Sequence, residues 1–323
     1  MTVHVIATGG TISSHFDGDQ WTNIDGAGLV AELGAEAVDR VVVRDVASGP
    51  SSNLTVHDML AIAEAARDAL TAGADGVVVV HGTDTMELTA FVCQLMLGVS
   101  ASRRPVVFTG SMRVHSHPAP DGTANLRDAI AVAASDRAVG REVMLCLEGA
   151  LHAADRVAKC HAASVDAFQS APFDPIGSVI DGVPVFHDAP VERPAAIGFV
   201  HDVPLVTCYP GIDAASVEAV LADVVGAVVE GFGDLNVPQQ LWGPIHHAWN
   251  RGTLVVLASR PFTPTTTTEG LSMLGAVGAG GLTAQKARLA VMAALGSTPD
   301  RDAAVEFLRH LALVLDAGDR STS

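Results

Sequence analysis

Short apolar runs alternate along the chain with longer stretches in which apolar positions recur every three or four residues. Val3 to Ala7, Arg40 to Val46, Gly76 to Val80, Pro105 to Thr109 and Glu142 to Leu147 have the length and β-branched content of buried strands. Thr55 to Ala72, Thr83 to Leu97 and Gly122 to Ala134 carry helical spacing between them. The alternation predicts an α/β fold in which a parallel sheet is wrapped by helices. Pro172 to Pro194 is rich in Pro, Gly and Asp, holds short β-like pieces at Gly177 to Ile180 and Val183 to Phe186, and marks a passage between domains. Beyond it a smaller alternation predicts strands at Pro204 to Thr207, Ala227 to Glu230 and Leu254 to Ala258. Helices are expected near Asp213 to Ala222, Pro238 to Trp249, Thr283 to Leu295 and Asp300 to Asp316. The expected architecture is two α/β domains: a larger N-terminal parallel-sheet domain over 1–190, a linker over 191–203, and a smaller C-terminal α/β domain over 204–323. The patch "TPTTTT", Thr263 to Thr268, reads as a polar turn.

Composition narrows the partners. With 49% hydrophobic residues the chain can bury a large core, and 36 acidic against 19 basic residues leave a net charge of −17. No Lys/Arg cluster is dense enough to track phosphates, so neither nucleic acid nor an anionic membrane is an expected partner. Apolar runs such as Gly76 to Val80 and Gly226 to Val229 fall far short of the ~20 residues of a membrane span. No basic segment precedes an apolar one near Met1, and the expected location is the cytoplasm. Cys93, Cys146, Cys160 and Cys208 are widely spaced without a C-x-x-C pattern, which suits buried free thiols.

In open parallel sheets, ligands gather outside the carboxyl ends of the strands, so the residues after each strand carry most weight. The first strand runs into Thr8-Gly9-Gly10-Thr11, where glycine permits positive φ and lets a substrate approach backbone N–H groups. Thr11 is thereby presented at the sheet's mouth, although a threonine hydroxyl needs a proton acceptor before it attacks anything. A tight turn with incidental threonines is the plainer alternative for that loop alone. The strand Gly76 to Val80 is followed by "HGTDTMELTAF", in which His81-Gly82 makes the turn and Thr83-Asp84 falls in the first turn of the next helix. Thr83 as an N-cap and Asp84 as a partner of the helix dipole are alternatives to a role in binding an ammonium and activating a hydroxyl. The chain writes nearly every cation as arginine; Lys159 and Lys286 are its only lysines. Lys159, in "DRVAKCHAA", therefore points to an ammonium that can exchange its proton, which a guanidinium effectively cannot. In "SGPSSNLT", Ser51 and Ser52 offer hydroxyls for a carboxylate, or Ser52 or Asn53 caps the helix after Thr55. His115 and His117 lack a third ligand at metal spacing, and His246-His247 on a helix point apart. Trp242 and Trp249 read as packing residues.

Together these segments resemble the bacterial L-asparaginase family of type I and type II amidohydrolases. "ATGGTI" at Ala7 to Ile12 and "HGTDTMELTAF" at His81 to Phe91 carry the resemblance most specifically. "FTGSMRVHSHPAPDGTANLRDA" at Phe108 to Ala129, "LTAQKARL" at Leu282 to Leu289 and the Lys159 region extend it over nearly the whole chain. The resemblance implies that Thr11 is the nucleophile, that Thr83, Asp84 and Lys159 form a second triad, and that Ser51 holds the substrate's α-carboxylate while Asp84 also holds its α-amino group. Gly10, Ser52 and Gly82 belong to the same substrate-binding turns, and Asn236 in "EGFGDLN" falls where the family takes a contact from a neighbouring subunit. A homodimer or homotetramer acting on L-asparagine is implied, with no cofactor and no metal. A glutaminase or broader amidase, or a silent amino-acid-binding protein, is the alternative. Type II members carry a tyrosine on the mobile loop after the nucleophile turn; here the single tyrosine is Tyr209, so His15 to Asn23 is expected to form the lid with other groups. Glu269 is the nearest candidate for an acidic residue crossing the subunit interface.

Overall fold

Strand β1 (Val3–Ala7) pairs in parallel with β2 (Val41–Asp45) on one side and with β3 (Gly76–Val80) on the other. Chain order and sheet order therefore diverge beside it, because the chain leaves β1 toward one edge and returns to build the other. The computed structural model describes residues 1–98, 103–141, 143–187, 189–261 and 270–317, and the "TPTTTT" patch and Glu269 lie outside them. Two compact units emerge: Met1–Ser170 with Asp174–Glu192, and Ala171–Phe173 with Arg193–Ser323.

In the first unit β4 (Val106–Thr109) and β5 (Val143–Leu147) continue the parallel set outward from β3. Three antiparallel strands complete the sheet: β6 (Ala150–Ala153), β7 (Gly177–Ile180) and β8 (Val183–Phe186), giving the order β8-β7-β6-β5-β4-β3-β1-β2. The β-like pieces between Pro172 and Pro194 are thus the edge hairpin of this sheet and not free connecting chain. Both faces of β1, β3, β4 and β5 are covered, which is why they read as nearly continuous apolar runs, whereas the edge strand β2 leaves Val42 and Arg44 exposed. Val3, Val5, Val78, Val80, Val107, Met144 and Cys146 share a core with Leu29, Val30, Leu126, Ala129 and Val132 of the helices Gly26–Ala31 and Gly122–Ala133. Ile6, Val77 and Val79 lie outside that cluster and are also buried. The helices Val56–Thr71 and Met86–Leu97 pack against each other and against the sheet. Gly76 sets one such approach: a Cβ there would lie 2.1 Å from the carbonyl oxygen of Ala133.

Helix Val56–Thr71 begins with a reciprocal cap in which Thr55 Oγ1 accepts from Asp58 N and the Asp58 carboxylate accepts from Thr55 N. Thr55, and neither Ser52 nor Asn53, is thus the cap. In the second unit β9 (Leu205–Thr207), β10 (Gly226–Gly231), β11 (Leu254–Ser259) and β12 (Val277–Gly278) form a parallel sheet in chain order. Helices Ala214–Val220, Trp242–Asn250, Ala284–Ser297 and Arg301–Ala317 accompany it. The predicted helix from Pro238 starts instead with a separate 3-10 turn, Gln239–Leu241. Among the described residues, no helix is long and apolar enough to cross a membrane. Cys93, Cys146 and Cys208 are buried thiols, but Cys160 is exposed, a correction to the expectation of burial for all four. Trp249 packs under Arg301, whose guanidinium carbon lies 4.0 Å from the ring, whereas Trp242 is half exposed and is not a core residue.

Candidate active site

The divergence beside β1 opens a crevice between the carboxyl ends of β1 and β3, the position where doubly wound sheets hold ligands. Thr8 ties the two ends together, its N–H and its Oγ1 both donating to the carbonyl of Val80 at 3.0 Å. Two glycines follow at φ 81° and 96°, where L side chains are strained. A Cβ on Gly10 would lie 2.4 Å from the Cα of Gly82, so the turns after β1 and β3 touch backbone to backbone. Thr11 then opens a 3-10 turn, Thr11–Ser13.

After β3, Thr83 and Asp84 occupy a turn, and the helix starts only at Met86 with Thr85 as its N-cap. They are therefore not in the first helical turn, and Thr83 does not cap the helix. Tertiary contacts hold the turn instead: Asp84 N donates to Ser51 Oγ at 3.1 Å, and Thr85 Oγ1 donates to the carbonyl of Ser51 at 2.9 Å. Because Ser51 Oγ serves there as acceptor, its own proton remains to donate elsewhere. Lys159, on the short strand Ala158–Lys159 paired with Phe168–Gln169, sends Nζ to Thr83 Oγ1 and to Asp84 Oδ1, each at 2.9 Å. Thr83 and Ser51 are buried, while the Asp84 side chain is 59% exposed and the Lys159 side chain 16%.

A small cleft of about 190 Å³ is lined by Gly10, Thr11, Ser14, Asn23, Gly49, Pro50, Ser51, Gly82, Thr83 and Asp84. Of the residues picked out from the sequence, Gly10, Thr11, Ser51, Gly82, Thr83 and Asp84 line it, and Lys159 reaches it through Thr83 and Asp84. Ser52 is exposed and lies outside the lining, and Asn236 belongs to the second unit, where its Nδ2 donates to the carbonyl of Gly233 at 2.7 Å. Asn23 ends the expected lid, His15 to Asn23, and Ser14 immediately precedes it, but neither is among the site residues expected from the sequence. They face each other across an antiparallel hairpin, Ser14–Phe16 with Trp21–Asn23, that occupies the expected lid. The signal was the "DGD" tip: Asp17 Oδ1 accepts from Asp19 N and Gln20 N, and Gly18 has φ 103°. His115 N donates to Ser14 O and Phe16 N to Ser116 Oγ, which dock this hairpin on the 115–117 segment. His115 Nε2 lies 3.1 Å from Glu32 Oε1, and His117 Nδ1 accepts from Ala119 N, so both rings have structural partners.

One further residue stands behind the cleft. His81 is fully buried, and burial pushes its imidazole down to about 4 while the carbonyl of Gly82 partly opposes that shift.

Fold and site together define a two-domain α/β protein with a threonine–aspartate–lysine cluster at the switch point of its first sheet. Residues 2–192 match the family model for the asparaginase N-terminal domain and residues 202–308 that for the glutaminase/asparaginase C-terminal domain. The chain belongs to the asparaginase family, as the sequence resemblance implied. It is 33% identical to a probable L-asparaginase of Deinococcus radiodurans, over 92% of this chain and 94% of that one. It is also 32% identical to a glutamyl-tRNA(Gln) amidotransferase subunit from Halobacterium salinarum, over 94% of this chain and 78% of the relative. The crystal structure of a probable cytoplasmic L-asparaginase from Campylobacter jejuni superposes with a TM-score of 0.84 at 26% identity, covering 96% of this chain and 99% of that one. The two-domain α/β architecture expected from the sequence is the one this structure shares.

Proposed function

We propose that the protein is an asparaginase-type amidohydrolase converting L-asparagine and water to L-aspartate and ammonia by double displacement. The observation that carries this reading is the pair of 2.9 Å bonds from Lys159 Nζ to Thr83 Oγ1 and Asp84 Oδ1, at the wall of a cleft that also holds Thr11. Thr11 Oγ attacks the side-chain carbonyl carbon, the C–N bond breaks with ammonia leaving, and water then opens the β-aspartyl ester. Backbone N–H groups of the glycine turns hold the oxyanion. In its neutral form Lys159 takes the proton of Thr83, which in turn relays one from Thr11; the proton is passed on to the departing nitrogen, so that it leaves as ammonia, and the same relay later deprotonates the hydrolytic water and returns a proton to Thr11 Oγ1. Asp84 binds the α-ammonium and Ser51 donates to the α-carboxylate. Asn236 completes the pocket from a neighbouring copy in a homodimer or homotetramer. The size of the cleft, about 190 Å³, suits a small amino acid better than a peptide.

The comparable identity to an amidotransferase component favours a second reading, in which the same chemistry releases ammonia within a larger assembly. Against direct contact of this chain with tRNA stands its net charge of −17 without a basic patch. Ammonia release by the isolated protein from L-Asn, D-Asn, L-Gln and asparaginyl dipeptides tests the proposal. Turnover of L-Asn as the best substrate supports it. Release from L-Gln alone moves the reading to a glutaminase, and aspartate binding without any ammonia release leaves a silent amino-acid-binding protein.

A further inference from the structure

The carbonyl of Gly82 is 2.7 Å from His81 Nδ1. A carbonyl only accepts, so Nδ1 carries the proton and the ring is the Nδ1–H tautomer. Nε2 is consequently a bare acceptor; it is buried and has no hydrogen-bond partner among the described residues. Leaving a buried acceptor unpaired is unfavourable, and a phenylalanine beside Phe108, whose ring centre lies 6.0 Å away, would fill the space without that penalty. The bond made by Nδ1–H is the feature that only the histidine brings to this position.

That bond acts on one peptide unit. The group joining Gly82 to Thr83 is planar and trans, so its C=O and N–H point in opposite directions. With the carbonyl drawn onto His81, the Thr83 N–H points away from the imidazole, and both Gly82 and Thr83 line the cleft. The neighbouring turns leave the unit little room, since a Cβ on Gly10 would lie 2.4 Å from the Cα of Gly82 and one on Gly82 would lie 2.8 Å from Ser51 Oγ. The strand end is anchored as well, with His81 N donating to the carbonyl of Thr109 at 2.8 Å. Because burial disfavours the imidazolium, the ring stays neutral across the physiological range and the bond is a constant feature of the site.

We propose that His81 is a positioning residue which, by holding the carbonyl of Gly82, aims the Thr83 N–H at the oxygen that becomes negative during amide hydrolysis. The inference rests on the asparaginase-type reading above and assigns one of its oxyanion donors a support that touches no substrate. An amide aimed at developing charge matters more to the transition state than to the bound substrate, so its misalignment lowers kcat with little change in KM.

Three variants separate this role from packing. His81→Asn places an N–H donor at about the reach of Nδ1, His81→Gln moves it to about that of Nε2, and His81→Phe has none. With L-Asn as substrate, Phe and Gln are expected to lower kcat about tenfold, the size of one lost neutral hydrogen bond, with KM within about twofold. Asn is expected to stay within about threefold of wild type, irrespective of melting temperature. Equal kcat in all three variants, whether unchanged or equally reduced, overturns the proposal. Nitrogen-15 NMR of histidine-labelled wild type supplies a readout independent of turnover. An Nδ1–H tautomer that persists from about pH 8 to about pH 5 supports the assigned bond, and an Nε2–H tautomer overturns it. If wild type releases no ammonia from any amide, the asparaginase-type reading fails by itself, and the tautomer still decides the bond between His81 and Gly82.

Discussion

Lys159 Nζ donates to Thr83 Oγ1 over 2.9 Å although 76 residues separate the two in sequence. The same ammonium reaches Asp84 Oδ1, so one lysine joins a buried hydroxyl to a largely exposed carboxylate. If this lysine passes protons, Lys159→Arg, which keeps the charge without the titration, and Lys159→Met, which removes both, should lose turnover alike, by roughly 10²- to 10⁴-fold. If it supplies charge alone, Arg should recover much of what Met loses. Measuring kcat of both, with folding checked by thermal melts, decides the matter.

Thr11 lines the cleft directly after the paired glycines. Thr11→Val keeps the shape and removes the hydroxyl, so kcat should fall by about 10⁴-fold or more, the scale of losing an essential nucleophile. Binding of aspartate, followed by calorimetry, should persist. Retention of a tenth of wild-type activity would show that another group attacks.

Gly10 is held at φ 96° with the Cα of Gly82 2.4 Å from where a Cβ would stand. Gly10→Ala adds left-handed strain of about 1–3 kcal/mol and a contact with backbone that cannot rotate away. The expected outcome is a lower melting temperature together with loss of turnover, since the turns after β1 and β3 must separate. Gly73→Ala, in the turn that leads into β3 and outside the cleft lining, is the control, because φ 95° is nearly the same there but nothing lies within 4 Å. It should cost stability without touching kcat.

His81 gives the protein a calculable response to acid. Its imidazole falls from the ordinary 6.5 to about 4 in the folded chain. Between those values the unfolded chain binds a proton that the native state refuses, so stability drops as pH falls, by up to about 1.4 kcal/mol per pH unit. Urea unfolding of wild type and His81→Phe at about pH 7 and about pH 5 should show a pH-dependent loss smaller by about 2 kcal/mol in the variant. Identical losses would mean that His81 does not bury a neutral ring.

Asn236 carries the assembly question. A pocket completed by a second copy should lose activity on dilution in step with dissociation, because protomer concentration then sets the amount of intact site. Sedimentation velocity run beside activity tests this, and a fully active monomer would leave Asn236 as the residue that bonds its own turn through Gly233.

Much of this protein was legible from local pattern. The strands β1, β3, β4 and β5 begin and end within about a residue of their apolar runs, because a strand covered on both faces needs uninterrupted hydrophobic chain. The glycines after β1 were legible for a similar reason: positive φ leaves few residue choices. The hairpin Ser14–Asn23 was not, since its strands are short and polar and it is stabilised by docking on His115 and Ser116 far along the chain.

Composition and periodicity by themselves determined that this chain folds as two α/β domains, since burial and backbone hydrogen bonding act on residues close in sequence and leave a period behind. What the tertiary structure alone decided is which side chains meet. Thr83 and Asp84 looked like a helix's first turn, and their turn is held instead by Ser51 and Lys159, each brought there by a strand order that no local period encodes. A hydrogen bond of 2.9 Å across 76 residues depends on how the sheet is wound, and the hydrophobic pattern of each strand is satisfied by more than one winding.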